Sequence, residues 1–125
     1  MHALIIDDDK NSLNVLSQML QFQGINSSTI SDPLQIGEAL KKLPPINVVF
    51  LDLEMPESNG FRVFDQLKSD PRFEHVPIVA CTVHTSQMSR TRSLGFHSFI
   101  GKPIDADRFP EQLQQILSGV PVWQM

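Results

Sequence analysis

Two short apolar runs that end on aspartates constrain this chain more than any other feature. Ala3-Leu4-Ile5-Ile6 leads directly into Asp7-Asp8-Asp9, and Val48-Val49-Phe50-Leu51 leads into Asp52. Runs of this length without polar alternation suit strands covered on both faces, as in a parallel sheet. Acidic residues at the carboxyl end of such a strand lie where open α/β sheets bind their ligands. Carboxylates gathered there repel one another. At an effective dielectric of about 20, two charges ~4 Å apart cost about 4 kcal/mol. A divalent cation, together with a group it helps to bind, would make sense of such a cluster.

The rest of the chain alternates in the same way. Residues 12–22 carry Leu13, Leu16 and Leu20 on one helical face, and Gly24 closes that helix. Residues 25–30 read as a more polar strand, which belongs at a sheet edge. Asp32-Pro33 reads as an N-cap followed by Pro at the first helical position. Leu34, Ile36, Leu40 and Leu43 would then form the apolar face of the second helix, stopped by Pro44-Pro45. A third strand spans 47–51, and the loop 53–59 contains Met55-Pro56. Helix three covers 60–69, with Phe61, Phe64 and Leu67 facing inward. Strand four spans 78–81, helix four lies within 86–94 before Gly95, and strand five is short, near 98–100. The last helix starts at Asp105 or Asp107 and runs to about residue 117. Pro110 would sit one to two turns in and disturb its start. Residues 121–125 take no assignment. This (βα)5 pattern predicts an α/β fold with a doubly wound parallel five-stranded sheet, because right-handed crossovers place helices on both faces.

At 125 residues the chain is one domain long enough to bury a core. Neither repeats nor low-complexity stretches interrupt it. The expected division is a domain over 1–120, a C-terminal tail over 121–125 and no output domain. With a net charge of -4 and no Lys/Arg run, nothing in the sequence marks a nucleic-acid or membrane surface. The apolar runs are far shorter than a membrane span needs. The first strand begins at the N-terminus, which leaves no room for a signal peptide, and the single cysteine, Cys81, allows no internal disulfide. A cytoplasmic, stand-alone protein is therefore expected. The four histidines lack metal-site spacing.

The informative polar residues fall at strand ends: Asp7, Asp8 and Asp9 after strand one, Asp52 after strand three, Thr82 after strand four and Lys102 after strand five. In a parallel sheet these ends meet on one rim. Hard oxygen donors suit Mg²⁺, which retains waters and shares its shell with phosphate. A carboxylate beside that cation can attack phosphorus to give an aspartyl phosphate. A hydroxyl and an ammonium can then stabilise the phosphoryl oxygens.

These residues sit in four segments: Leu4-Ile5-Ile6-Asp7-Asp8-Asp9; Val49-Phe50-Leu51-Asp52-Leu53-Glu54-Met55-Pro56 with Gly60; Pro77-Ile78-Val79-Ala80-Cys81-Thr82; and Phe99-Ile100-Gly101-Lys102-Pro103. In this order and spacing the chain resembles a response-regulator receiver domain of two-component signalling, over essentially its whole length. The resemblance implies a flavodoxin-like sheet in the order 2-1-3-4-5, as in the chemotaxis receiver that is the standard example of that order. It implies that Asp52 is the phosphoacceptor and that Asp7, Asp8, Asp52 and the backbone carbonyl of Glu54 surround Mg²⁺, with Mn²⁺ a substitute. Asp8 would be a direct ligand and Asp7 would act largely through water. Thr82 would hydrogen-bond the phosphoryl group, and Phe99 would be the switch aromatic that follows Thr82. Lys102 would pair with Asp52 at rest, and the Lys102-Pro103 bond would be cis. Glu54 and His84, each two residues beyond a site residue, would tune phosphoryl lifetime. Val83 stands where a small residue is common and would narrow access to Asp52.

The resemblance further implies a switch rather than an enzyme. The donor would be a histidine kinase or a phosphotransfer protein, and the downstream protein would bind the surface of helix four, strand five and helix five, roughly residues 86–117. Two other readings compete. Asp7-Asp8-Asp9 fits the Asp-x-Asp of haloacid-dehalogenase-like phosphohydrolases, which would make Asp7 the nucleophile. A pseudo-receiver would keep the fold as an interaction module without phosphorylation.

Overall fold

A computed structural model describes residues 1–55 and 60–124. Pro56 and the rest of the expected loop up to Asn59 lie outside the described residues, as does Met125. The elements follow in chain order as β1 (His2–Ile6), α1 (Lys10–Phe22), β2 (Asn26–Ile30), α2 (Ile36–Leu40), β3 (Val48–Asp52), α3 (Gly60–Lys68), β4 (Ile78–Thr82), α4 (Met88–Leu94), β5 (Ser98–Gly101), α5 (Phe109–Leu117) and β6 (Trp123–Gln124).

All strand pairs are parallel, in the order β2-β1-β3-β4-β5-β6. The sheet therefore has the expected order plus a sixth strand, formed by the segment that the sequence left unassigned. Period-two alternation divides the strand side chains between two apolar cores. Leu4, Ile6, Val49, Leu51, Ile78, Ala80 and Phe99 pack with α2 and α3 on one face. Ala3, Ile5, Val48, Phe50, Val79, Cys81 and Ile100 pack with α1 and α5 on the other. Both faces of β3 and β4 are buried, which is why their sequences are continuous apolar runs rather than alternating ones. The polar β2 lies at the edge, as its composition required.

Helix phasing follows the sequence in α1, where Leu13, Leu16 and Leu20 are buried. It departs in the second helical segment. Asp32 does cap this segment, its Oδ1 accepting from the Leu34 N–H at 3.0 Å. The next three residues, however, form a 3₁₀ turn (Pro33–Gln35) before α2 begins. A 3₁₀ turn rotates each residue further than an α-turn does. Leu34, expected inside, is consequently 66% exposed, while Ile36 and Leu40 are buried. α2 also stops at Leu40, ahead of Pro44-Pro45. At the last helix, Asp105 organises the approach by accepting from the N–H groups of Asp107, Arg108 and Phe109. α5 proper starts at Phe109, so Pro110 lies within its first turn, where a missing N–H leaves no helical bond unmade.

Two glycines have positions that a side chain would spoil. Gly95 ends α4 in the left-handed region, with φ +100°. At Gly60 a Cβ would lie 2.5 Å from the Asp52 carbonyl oxygen and 2.6 Å from the Leu53 Cα. Its N–H donates to the Leu53 carbonyl at 3.0 Å. The start of α3 thus rests directly on the backbone that presents Asp52.

Candidate functional site

The carboxyl ends of β1, β3, β4 and β5 bring Asp7, Asp8, Asp52, Thr82 and Lys102 to one rim, because all four strands are parallel neighbours. Carboxylate oxygens of Asp7, Asp8 and Asp52 lie within 4.8 Å of one another, the one such group of possible metal ligands among the described residues. Asp7 and Asp52 are only 4% and 7% exposed. Each is anchored by its own turn: the Asp9 N–H donates to Asp7 Oδ1 at 2.9 Å, and the Glu54 N–H donates to Asp52 Oδ1 at 3.1 Å. Asp9 itself caps α1, accepting from the Asn11 N–H at 2.9 Å. Its role here is therefore that of a helix cap.

Lys102 reaches this cluster from the end of β5. Its Nζ donates to Asp7 Oδ2 at 2.5 Å and stands 3.9 Å from Asp52 Oδ2. The expected resting pair was Lys102 with Asp52; in the structure Asp7 is the nearer partner. The Lys102 N–H donates to the Thr82 carbonyl at 2.9 Å, and the Lys102-Pro103 bond is cis. Thr82 is fully buried, and its Oγ1 accepts from the His84 N–H at 3.2 Å.

Burial sets the electrostatics. It pushes the Asp52 carboxyl up to about 7, against the lowering effects of Lys102 and the Glu54 N–H and with the help of the Asp7 charge. For Lys102, burial alone would lower the ammonium's pKa. The hydrogen bond to Asp7 and the negative charges of Asp52 and Asp7 outweigh it, so the pKa rises and Lys102 stays charged. Burial also raises the Cys81 thiol to about 12, which makes it an inert core residue on β4.

A cleft of about 370 Å³ opens beside the cluster, with Asp7, Asp52 and Lys102 at its polar end and Val15, Val83 and Ile104 on its walls. Val83 is 61% exposed and lines this cleft, as its place after Thr82 suggested. Outside the cleft, on the loops that follow β3 and β4, His84 Nε2 lies 3.9 Å from Glu54 Oε1. The sequence did not show that these two side chains face each other. Phe99 is fully buried, and Trp123 stands beside it in register on β6. That neighbour was also missed, since two residues carry no strand signal.

A parallel α/β sheet with polar groups gathered at its carboxyl edge defines a class of proteins whose ligands bind at that edge. The comparisons with known proteins narrow it. The family profile "Response regulator receiver domain" matches residues 3–114. The chain belongs to the response-regulator receiver domain family. It is 33% identical over 105 residues to the response regulator PleD of Caulobacter vibrioides, covering 82% of this chain and 23% of that protein. Protein RcaC of Microchaete diplosiphon is 28% identical over 123 residues, 97% of this chain and 19% of its own length. The chain thus spans only about a fifth of those two relatives. It spans 94% of the polar-differentiation response regulator DivK of Brucella anthropi, at 24% identity over 92% of this chain. Among solved structures, the chemotaxis response regulator CheY4 of Vibrio cholerae superposes with a TM-score of 0.80, at 22% identity, over 92% of this chain and 97% of that one. The receiver domain of the sensor histidine kinase PA1611 from Pseudomonas aeruginosa, solved with a magnesium ion in its active-site cleft, has a TM-score of 0.80 at 19% identity, over 94% and 97%. The fold and family expected from the sequence therefore hold, and the haloacid-dehalogenase reading finds no support. No helix among the described residues is long and apolar enough to cross a membrane.

Proposed function

We propose that this domain is a phosphorylation-switched signalling module whose phosphoacceptor is Asp52. The observation that carries the reading is the meeting of the Asp7, Asp8 and Asp52 oxygens within 4.8 Å, with the Lys102 ammonium on the same rim. Three hard carboxylates at this spacing fit Mg²⁺, with the Glu54 carbonyl as a further donor. The related PA1611 receiver holds that ion in its own cleft. When bound, the ion would offset the carboxylate repulsion and the negative charge gathering on the transferred phosphoryl group.

The chain's own groups do the rest. An Asp52 oxygen attacks the phosphorus of a phosphohistidine, the P–N bond breaks, and the imidazole leaves with the electron pair. Without the cation, burial holds the Asp52 carboxyl above its ordinary range, and ionisation of that carboxyl is needed before attack. Lys102 moves from Asp7 toward a phosphoryl oxygen, and the Thr82 hydroxyl turns to donate to another. Water later cleaves the acyl phosphate to restore the carboxylate. The Glu54 and His84 side chains, 3.9 Å apart on the loops beyond Asp52 and Thr82, tune the lifetime of that phosphoryl group. The donor is a histidine kinase or phosphotransfer protein, and the output is a change in protein contact or onward phosphotransfer. A cytoplasmic location goes with that reading.

The test is incubation with acetyl phosphate and Mg²⁺ followed by intact-mass measurement of wild type and Asp52→Ala. A base-labile phosphoryl adduct on wild type alone supports the reading. Failure of wild type to accept phosphoryl from both acetyl phosphate and a phosphohistidine protein would leave the pseudo-receiver in its place.

A further inference from the structure

From His75 to Ile104 the chain contains no Asp or Glu, although 14 of its 125 residues are acidic. This stretch includes all of α4, whose outward residues Arg90 and Arg92 are exposed. Each guanidinium lies over an aromatic ring. Arg90 stands 4.0 Å from the centroid of Phe61 on α3, and Arg92 stands 4.7 Å from that of Trp123 on β6. Among the described residues, neither arginine forms an ion pair. Two cations are thus held in place by rings, not by carboxylates, and their hydrogen-bond donors remain available.

β6 is what completes this surface. The Phe99 N–H donates to the Val122 carbonyl at 2.7 Å, and the Val122 N–H donates to the buried Ser98 Oγ at 2.9 Å. These bonds fix Trp123 beside Phe99 and beneath Arg92. They also cover the edge of β5, so β6 joins α4 at this end of the sheet. Leu94, 46% exposed at the end of α4, and the half-buried Trp123 add apolar area next to the two charges.

We propose that the α4–β6 rim is the docking surface for an acidic segment of a partner protein. Carboxylates would take the forked donors of Arg90 and Arg92, and an apolar side chain would rest against Trp123 and Leu94. Charge complementarity selects this occupant. The chain is negative overall, so an acidic segment is repelled from most of its surface and steered to α4, which carries two arginines and no acidic residue. The inference does not depend on phosphorylation of Asp52.

The test uses the full chain and a synthetic peptide in which Glu and Ala alternate, with Gln-Ala and Lys-Ala peptides and a single-stranded oligonucleotide as comparisons. Binding is followed by amide and indole NMR shifts, Trp123 being the only indole in the chain. The Glu-Ala peptide is expected to shift the Trp123 indole and the α4 amides, whereas the Gln-Ala and Lys-Ala peptides leave them in place. Joint Arg90→Glu and Arg92→Glu substitution should weaken binding at least about tenfold, while Lys41→Glu with Lys42→Glu should leave it unchanged. Arg90→Gln with Arg92→Gln gives a milder second variant, and circular dichroism checks that both fold. Absence of shifts at the rim, equal binding of the Gln-Ala peptide, or unchanged binding by both Arg variants would overturn the proposal. So would tighter binding of the oligonucleotide than of the Glu-Ala peptide at the same residues.

Discussion

The ammonium of Lys102 lies 2.5 Å from Asp7 Oδ2 and 3.9 Å from Asp52 Oδ2. The lysine is thus held by the neighbour of the proposed nucleophile, within reach of the nucleophile itself. This arrangement leaves Asp52 short of compensation in a buried setting and ties the energetics of three groups together.

Removing the lysine should therefore strip the cluster of its only fixed cation among the described residues. Lys102→Met is expected to lower metal-free stability by about 3 kcal/mol, the usual consequence of leaving a buried charge unpaired. Urea unfolding in chelator measures the loss. The same titration with excess Mg²⁺ should recover a larger share in the variant than in wild type.

Asp8 has the opposite sign. Asp8→Asn removes one of the crowded charges, so the metal-free melting temperature should rise by roughly 3–6 °C. The gain in melting temperature on adding Mg²⁺ should shrink, because the stabilisation by a bound ligand grows with the logarithm of its concentration over Kd and falls as Kd rises. An unchanged response to Mg²⁺ would mean that Asp8 contributes no ligand.

The raised Asp52 carboxyl gives a pH dependence with a definite direction. Between its ordinary value of 3.8 and about 7, the folded chain holds a proton there that the unfolded chain has released. Stability in chelator should consequently fall as pH rises through that window and level off above it. Asp52→Asn should flatten this component. Denaturant midpoints taken at steps from pH 4 to pH 8 provide the comparison.

Gly60→Ala tests the contact between α3 and the acidic turn. Its new Cβ would meet the Asp52 carbonyl oxygen at 2.5 Å, so the backbone must move. A stability loss of about 1–3 kcal/mol is expected, as for other forced overpacking. Phosphorylation by acetyl phosphate should slow more than the stability loss explains, because Asp52 itself is displaced.

The sequence was most legible where one local pattern decided the outcome. Leu13, Leu16 and Leu20 repeat with the helical period, and β3 and β4 are unbroken apolar runs, so helix face and strand burial could be read directly. Asp7, Asp8, Asp52, Thr82 and Lys102 could be brought to one rim by counting strand ends alone. Leu34 was misplaced because a 3₁₀ turn changes the phase without any marked residue. Trp123 was illegible for a different reason. Its strand is two residues long and rests on bonds from Ser98 and Phe99, more than twenty positions earlier. Lys102's preference for Asp7 over Asp52 is a matter of ångströms between groups far apart in the chain, and no spacing encodes it.

The most direct test of the account is to locate the phosphoryl group. Wild-type chain phosphorylated with acetyl phosphate and Mg²⁺ can be reduced with borohydride, which converts an aspartyl phosphate to homoserine, and then digested and sequenced by mass spectrometry. Homoserine at position 52, and at no other aspartate, is the expected result. Homoserine at position 7, or an adduct that persists in Asp52→Ala, would contradict the account.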